Sequence, residues 1–204
     1  MAHEITSIEA LEALYGLPMG AAVTKEVDYV HPQYRTFIEA SPFCLIATSG
    51  PEGLDCTPRG DPPGFVTVED ERTLLLPDRR GNNRVDSLRN IVRDPRIGML
   101  FLIPGVGETL RVNGRAVIST DPDLLNRFVM EGKTPKSVLR VAVEAVYFQC
   151  PKALVRSQLW DASRHIPRSA LPSAGTILKA ITDGAVGGEA YDAAYPQRIK
   201  ETIY

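Results

Sequence analysis

Cysteine is scarce in this chain: Cys44, Cys56 and Cys150 are the only three in 204 residues. The number is odd, the spacing is wide and no Cys-x-x-Cys occurs, which argues against a disulfide framework or a zinc finger. The expectation is three reduced thiols in a cytoplasmic protein. Histidine is equally rare (His3, His31 and His165), with no pair at a finger or HExxH spacing, so no metal site is expected. Excess charge is also missing. The formal net charge is -2, so no global field draws the protein to DNA, RNA or anionic lipid. Long apolar runs are absent too: "IGMLFLIPGVG" is far too short to cross a bilayer as a helix. The first stretch, "MAHEITSIEALEALYG", is acidic and amphipathic and does not read as a signal peptide. No G-x-G-x-x-G follows a strand, which argues against a Rossmann fold, and no repeat or low-complexity tract is found.

What is present is an ordinary globular composition, 44% hydrophobic and 24% charged, enough for one good-sized domain over residues 1–204. Apolar residues at three-residue steps (Ile5, Ile8, Leu11, Leu14) predict a helix over 4–15, and "YRTFIEAS" predicts a second, ending at Ser41-Pro42. These define a helical segment over residues 1–40. Strand patterns follow in "FCLIATSG", "LDCTPRGD", "GFVTVED" and "RTLLLPD", with turn residues about every ten positions. A helix is expected from Asn82 to Val92, where Val85, Leu88 and Val92 share a face, and Pro95 stops it. "RIGMLFLIPG" reads as a central strand, "ETLRVNGRAVIST" as a long strand bent at Gly114, and "SVLRVAVEAVYFQC" as another. "DPDLLNRFVMEG" reads as a helix between them, and "PKALVRSQLW" as one or two helical turns. Residues 41–160 therefore form a mainly β antiparallel barrel with added helices, and 161–204 an extended C-terminal arm with one helical patch near "TILKAI".

The chemistry concentrates in "LLLPDRRGNNRVDSLRNIVRDP", residues 74–95, where arginines, asparagines and a glycine stand between a strand and a helix. A helix starting near Asn82 would leave backbone N–H groups unpaired, with partial positive charge at that end. Arg84 in its first turn, with Arg79 or Arg80 just before, could complete a phosphate cradle. Asn82 or Asn83 could cap, and Gly81 could supply a backbone conformation closed to most residues. A plain solvated turn has the same ingredients, and a nucleic-acid patch would need a broader basic surface. Beyond this corner, Arg59 ends a strand in "CTPRGDPPG"; Arg111 sits within a strand, where an outward-facing role is the plain alternative. Trp160 would otherwise be a core or lid aromatic.

Four segments taken together, "TPRGDPPGFV", "LPDRRGNNRVDSLRNI", "FLIPGVGETLRVNGRA" and "CPKALVRSQLW", resemble the pyridoxamine 5'-phosphate oxidase-like FMN-binding family, in its bacterial branch of FMN-dependent split-barrel enzymes. The resemblance spans about residues 30–165 in the right order. It implies a six-stranded split β-barrel that pairs into a homodimer, with FMN in two clefts between subunits. Arg59 is then similar to an arginine touching the flavin mononucleotide, and Pro77 and Asp78 to a strand end facing the isoalloxazine edge. Asn82, Asn83 and Arg84 stand where the family's oxidases carry a Ser-Arg-Lys phosphate clamp, a departure that keeps donor capacity and, with Arg79, the charge. Thr109 and Arg111 match a strand approaching the cofactor from the other subunit, and Lys152, Arg156, Ser157 and Trp160 a short helix closing over the site. The Arg- and His-bearing signature that holds pyridoxal phosphate in true oxidases has no clear match in the last forty residues; His165 reads as a surface or interface residue. The expectation is an FMN-dependent oxidoreductase acting on a small-molecule substrate. The alternatives are a non-catalytic flavin or haem carrier and a deazaflavin-dependent reductase.

Overall fold

The computed structural model describes residues 3–204; the first two residues of the expected N-terminal helical segment lie outside the described residues. Three short helices lead in: α1 (Ile8–Tyr15), α2 (Ala21–Thr24) and α3 (Pro32–Ala40). Pro32 opens α3 at its first position, and the His31 imidazole accepts the Gln33 N–H. Ile38 anchors the helix in the core with no exposed surface.

Seven strands follow: β1 (Phe43–Gly50), β2 (Gly53–Gly60), β3 (Thr67–Asp70), β4 (Thr73–Asp78), β5 (Arg96–Leu102), β6 (Thr109–Ser119) and β7 (Ser137–Gln149). They form one antiparallel sheet in the order β2-β1-β5-β6-β7-β4-β3, not the six-stranded barrel the resemblance implied. The seven-strand count is that of the apolar segments in the sequence, since "GFVTVED" and "RTLLLPD" pair as a separate hairpin at one edge. The main core buries Cys44, Ile46, Leu74, Leu76, Met99, Phe101, Leu110, Val112, Leu139, Val141 and Val146. Strict alternation puts these side chains inside: along β1 residues 44, 46 and 48 are buried, and along β5 residues 97, 99 and 101.

The bend expected at Gly114 is a β-bulge against β7. Glu144 is the extra residue, and inward positions on β7 change from 139, 141 and 143 to 146 across it. Glycine is required opposite, because a Cβ at position 114 would stand 2.2 Å from the Ala142 carbonyl oxygen.

Helix α4 (Asp86–Arg93) crosses beside β1 and β2, and α5 (Pro122–Asn126) covers a smaller apolar cluster of Leu75, Leu124, Phe128 and Val138. The helix expected over "DPDLLNRFVMEG" therefore ends early: its Asp121 cap is present, but residues 127–132 form turns around an isolated bridge from Met130 to Lys133. Helix α6 (Lys152–Ser157) follows β7. The C-terminal region is not an extended arm. It contains two 3-10 turns and two helices, α7 (Ala174–Ile181) and α8 (Glu189–Thr202). Among the described residues no helix is long and apolar enough to cross a membrane.

Candidate functional site

A cleft of about 870 Å³ opens between the edge strand β2, the end of β4 and the loop leading into α4. Alternation along β2 turns Asp55, Thr57 and Arg59 toward it as half-buried residues, while Cys56 and Pro58 are exposed. From β4 come Pro77 and Asp78, then Arg79 through Arg84; Lys136 and Ser137 enter from the start of β7.

The helix does not begin at Asn82. Asn82 accepts the Arg84 N–H at 3.1 Å, which makes a local turn, and α4 starts four residues later at Asp86. The unusual backbone is also not at Gly81. Asn83 (φ 61°) and Val85 (φ 53°, ψ 28°) take the left-handed conformation instead. For a β-branched valine this conformation costs about 1–3 kcal/mol and marks a loop held in shape by its surroundings. The hold on the helix is visible: buried Ser87 donates a short hydrogen bond to Asp55 of β2, tying the first turn of α4 to the cleft wall.

The charges in the cleft fall into two groups. Arg59 pairs with Asp78 at 3.4 Å and donates to the Pro58 carbonyl at 3.0 Å. Burial pushes the Asp78 carboxyl above its ordinary range, an effect opposed by Arg59 and Lys136. Arg79 is wholly engaged: its Nε meets Asp61 Oδ2 at 2.6 Å and its Nη1 donates to the Phe128 carbonyl at 2.5 Å. Asp61 is only 1% exposed, so this is a buried ion pair with a structural role.

The second group is available to a ligand. Arg80 has no ion pair among the described residues, and Lys136 Nζ reaches only the Asn83 amide oxygen, at 3.3 Å. Arg84 pairs with Asp86 at 2.8 Å, but that pair is open to water, with side-chain exposures of 76% and 43%, and is weak for that reason. Three cations beside the start of a helix suit a dianionic group.

Seven of the expected ligands (Arg59, Pro77, Asp78, Arg79, Asn82, Asn83 and Arg84) thus line one cleft. The remaining six do not line it in this chain. Thr109 is buried on β6 opposite Gln149. Arg111 donates to the Tyr147 hydroxyl at 3.0 Å and lies over that ring. Lys152, Arg156 and Ser157 are exposed on α6, the Ser157 hydroxyl turned back to the Leu154 carbonyl. Trp160 donates its indole N–H to the Val106 carbonyl at 2.8 Å. Sequence reasoning missed Asp61, Lys136 and Tyr204. Lys136 carried one weak signal, its place just before a predicted strand; Asp61 stood in the quoted "TPRGDPPGFV" without being singled out, and Tyr204 carried none.

Among solved structures, the fold is similar to a variant of HupZ from Group A Streptococcus (TM-score 0.49, 18% identity, covering 59% of this chain and 99% of that one). It is also similar to General Stress Protein 26 from Bacillus anthracis str. Sterne (TM-score 0.43, 14% identity, 55% and 88% covered). A third is a Clostridium acetobutylicum protein related to general stress protein 26, of the pyridoxinephosphate oxidase family (TM-score 0.43, 12% identity, 58% and 86% covered). No curated protein matches the chain. The family profile described as pyridoxamine 5'-phosphate oxidase matches residues 30–150, from just before α3 through β7, and the chain belongs to that family.

Proposed function

We propose that the protein is an FMN-dependent oxidoreductase and that the cleft between β2, β4 and α4 holds the cofactor. The observation that carries this reading is the set of uncommitted cations at one corner. Arg80, Lys136 and the weakly paired Arg84 stand beside the first turn of α4, where a phosphate monoester would find charge and backbone N–H donors together. The cleft volume, about 870 Å³, lies within the range of about 300–1,000 Å³ usual for cofactor sites. The residues present therefore fit the group.

In this reading Arg80, Arg84 and Lys136 hold the phosphate, and Asn82 and Asn83 shape the loop around it. Arg59 enters the cleft from β2, where its guanidinium, paired with Asp78, would stabilise negative charge on a reduced ring system. Bound FMN supplies hydride chemistry, so the chain's own work is to bind, orient and exclude water. Arg111, Thr109 and the α6 residues complete the site from a second subunit in the same proposal. The exposed apolar stripe of α1 (Ile8, Leu11 and Leu14, 41–65% exposed) suits such a homodimer, since apolar surface of this kind is normally covered.

The test is to purify the protein, record its absorbance, add FMN and then supply NADH or NADPH without oxygen. Flavin bands that bleach on reduction support the oxidoreductase; flavin that binds and stays oxidised supports a carrier. A colourless protein that takes up no FMN ends the reading.

A further inference from the structure

The last helix returns the chain to the cleft by a contact that closes 143 residues of sequence. The Tyr204 hydroxyl donates to Asp61 Oδ1 at 2.6 Å, its ring lies under the Arg79 guanidinium at 5.7 Å, and its main-chain oxygen accepts from Lys133 Nζ at 2.8 Å. Asp61 follows β2, Arg79 follows β4 and Lys133 precedes β7, so three separate loops converge to receive one residue. Ile203 and Tyr204 both line the cleft.

Nothing comparable holds the rest of α8. The helix buries none of its residues and carries Pro196 in its interior, which removes one backbone hydrogen bond and eases bending. Helices α7 and α8 are tied mainly to each other. Asp192 accepts the Gly175 N–H at 2.8 Å and the Ser173 hydroxyl at 2.5 Å, and the Gly188 N–H reaches the Gly175 carbonyl at 2.8 Å. A hairpin that is firm internally and pinned just past the far end of α8 is built to swing as a unit. Tyr204 also avoids the free cations. It uses Asp61 and one face of Arg79, both already spent on each other, and leaves Arg80, Arg84 and Lys136 open. The cation corner is therefore left clear.

We propose that Tyr204 latches the α7–α8 hairpin over the cleft as a closing wall, and that releasing this latch sets how fast a bound ligand escapes. The ligand's identity rests on the FMN reading; the latch does not.

Two measurements on wild type, Tyr204→Ala and Tyr204→Phe separate the two. The first is release of bound FMN on rapid dilution, followed by recovery of its fluorescence. The second is hydrogen exchange of the α8 amides without ligand. Loss of a charge-assisted hydrogen bond and an aromatic contact predicts release and α8 exchange each faster by about tenfold or more in Tyr204→Ala. Tyr204→Phe, which keeps the ring, falls between. If wild type binds FMN and Tyr204→Ala releases it at the wild-type rate, the latch is overturned while the FMN reading stands. If wild type binds no FMN, that reading fails and hydrogen exchange decides: faster α8 exchange in Tyr204→Ala supports the latch, and unchanged exchange overturns it.

Discussion

Arg79→Ala tests the division of the cleft's arginines into structural and ligand-facing groups. The substitution removes the 2.6 Å bond to Asp61 and the 2.5 Å bond to the Phe128 carbonyl. It leaves Asp61, 1% exposed, with the Tyr204 hydroxyl as its one remaining side-chain partner. Breaking one side of a buried ion pair costs about 3–5 kcal/mol, because the remaining charge stays desolvated. With a urea slope of about 2–3 kcal/mol/M, the unfolding midpoint should fall by about 1–2.5 M. Arg84→Ala is the control, since its exposed pair is worth about 0–1 kcal/mol and should shift the midpoint very little. The double variant Arg79→Ala/Asp61→Ala should recover part of the loss, as the stranded charge is gone. The reasoning fails if Arg79→Ala costs less than about 1 kcal/mol, or if the two substitutions simply add.

Other expectations follow from single features. Gly114→Ala should destabilise by about 2–4 kcal/mol, visible in thermal or urea unfolding, because its Cβ would meet backbone 2.2 Å away that has little room to move. In thiol titration, Cys56 and Cys150 are exposed and should react at once, whereas buried Cys44, its thiol pushed up to about 12, should react only on unfolding. Hydrogen bonds from Arg96 hold the Asp94 carboxyl at about 2, below its ordinary 3.8. A depressed carboxylate stabilises the fold above its unfolded pKa and loses that contribution as pH falls through its folded one. Stability should therefore drop between about pH 4 and 2 more steeply in wild type than in Arg96→Ala, measured by urea unfolding across that range.

The sheet was largely legible because its strands alternate. The inward sets of β1, β5 and β6 follow directly from period-two patterning, and the Gly114 bulge announced itself as a glycine inside a long strand. Helix α8 was not legible, for a physical reason. A helix with no buried residue needs no apolar stripe, and Pro196 reads as a breaker. The corner after β4 was half legible. Its arginines and asparagines do line a cleft, but Asn82 resembled a helix cap while its side chain in fact closes a turn onto Arg84. Val85 then delays the helix in a conformation that no pattern of letters would suggest. Composition could not tell Arg79 from Arg80 either. One is consumed by Asp61 and the other is free, and that depends on which loop meets β4 in space. Tyr204 is the extreme case, with its partner 143 positions away.

The corner formed by Arg80, Arg84, Lys136 and the start of α4 is proposed to grip a phosphate monoester. The most direct measurement is a pair of titrations, FMN against riboflavin, into the same purified protein, followed by flavin fluorescence. The two ligands share the ring and differ by the phosphate, so two or more charge-assisted hydrogen bonds of about 1.5–3 kcal/mol each predict FMN binding at least about 100-fold tighter. Equal affinity for the two would contradict the claim.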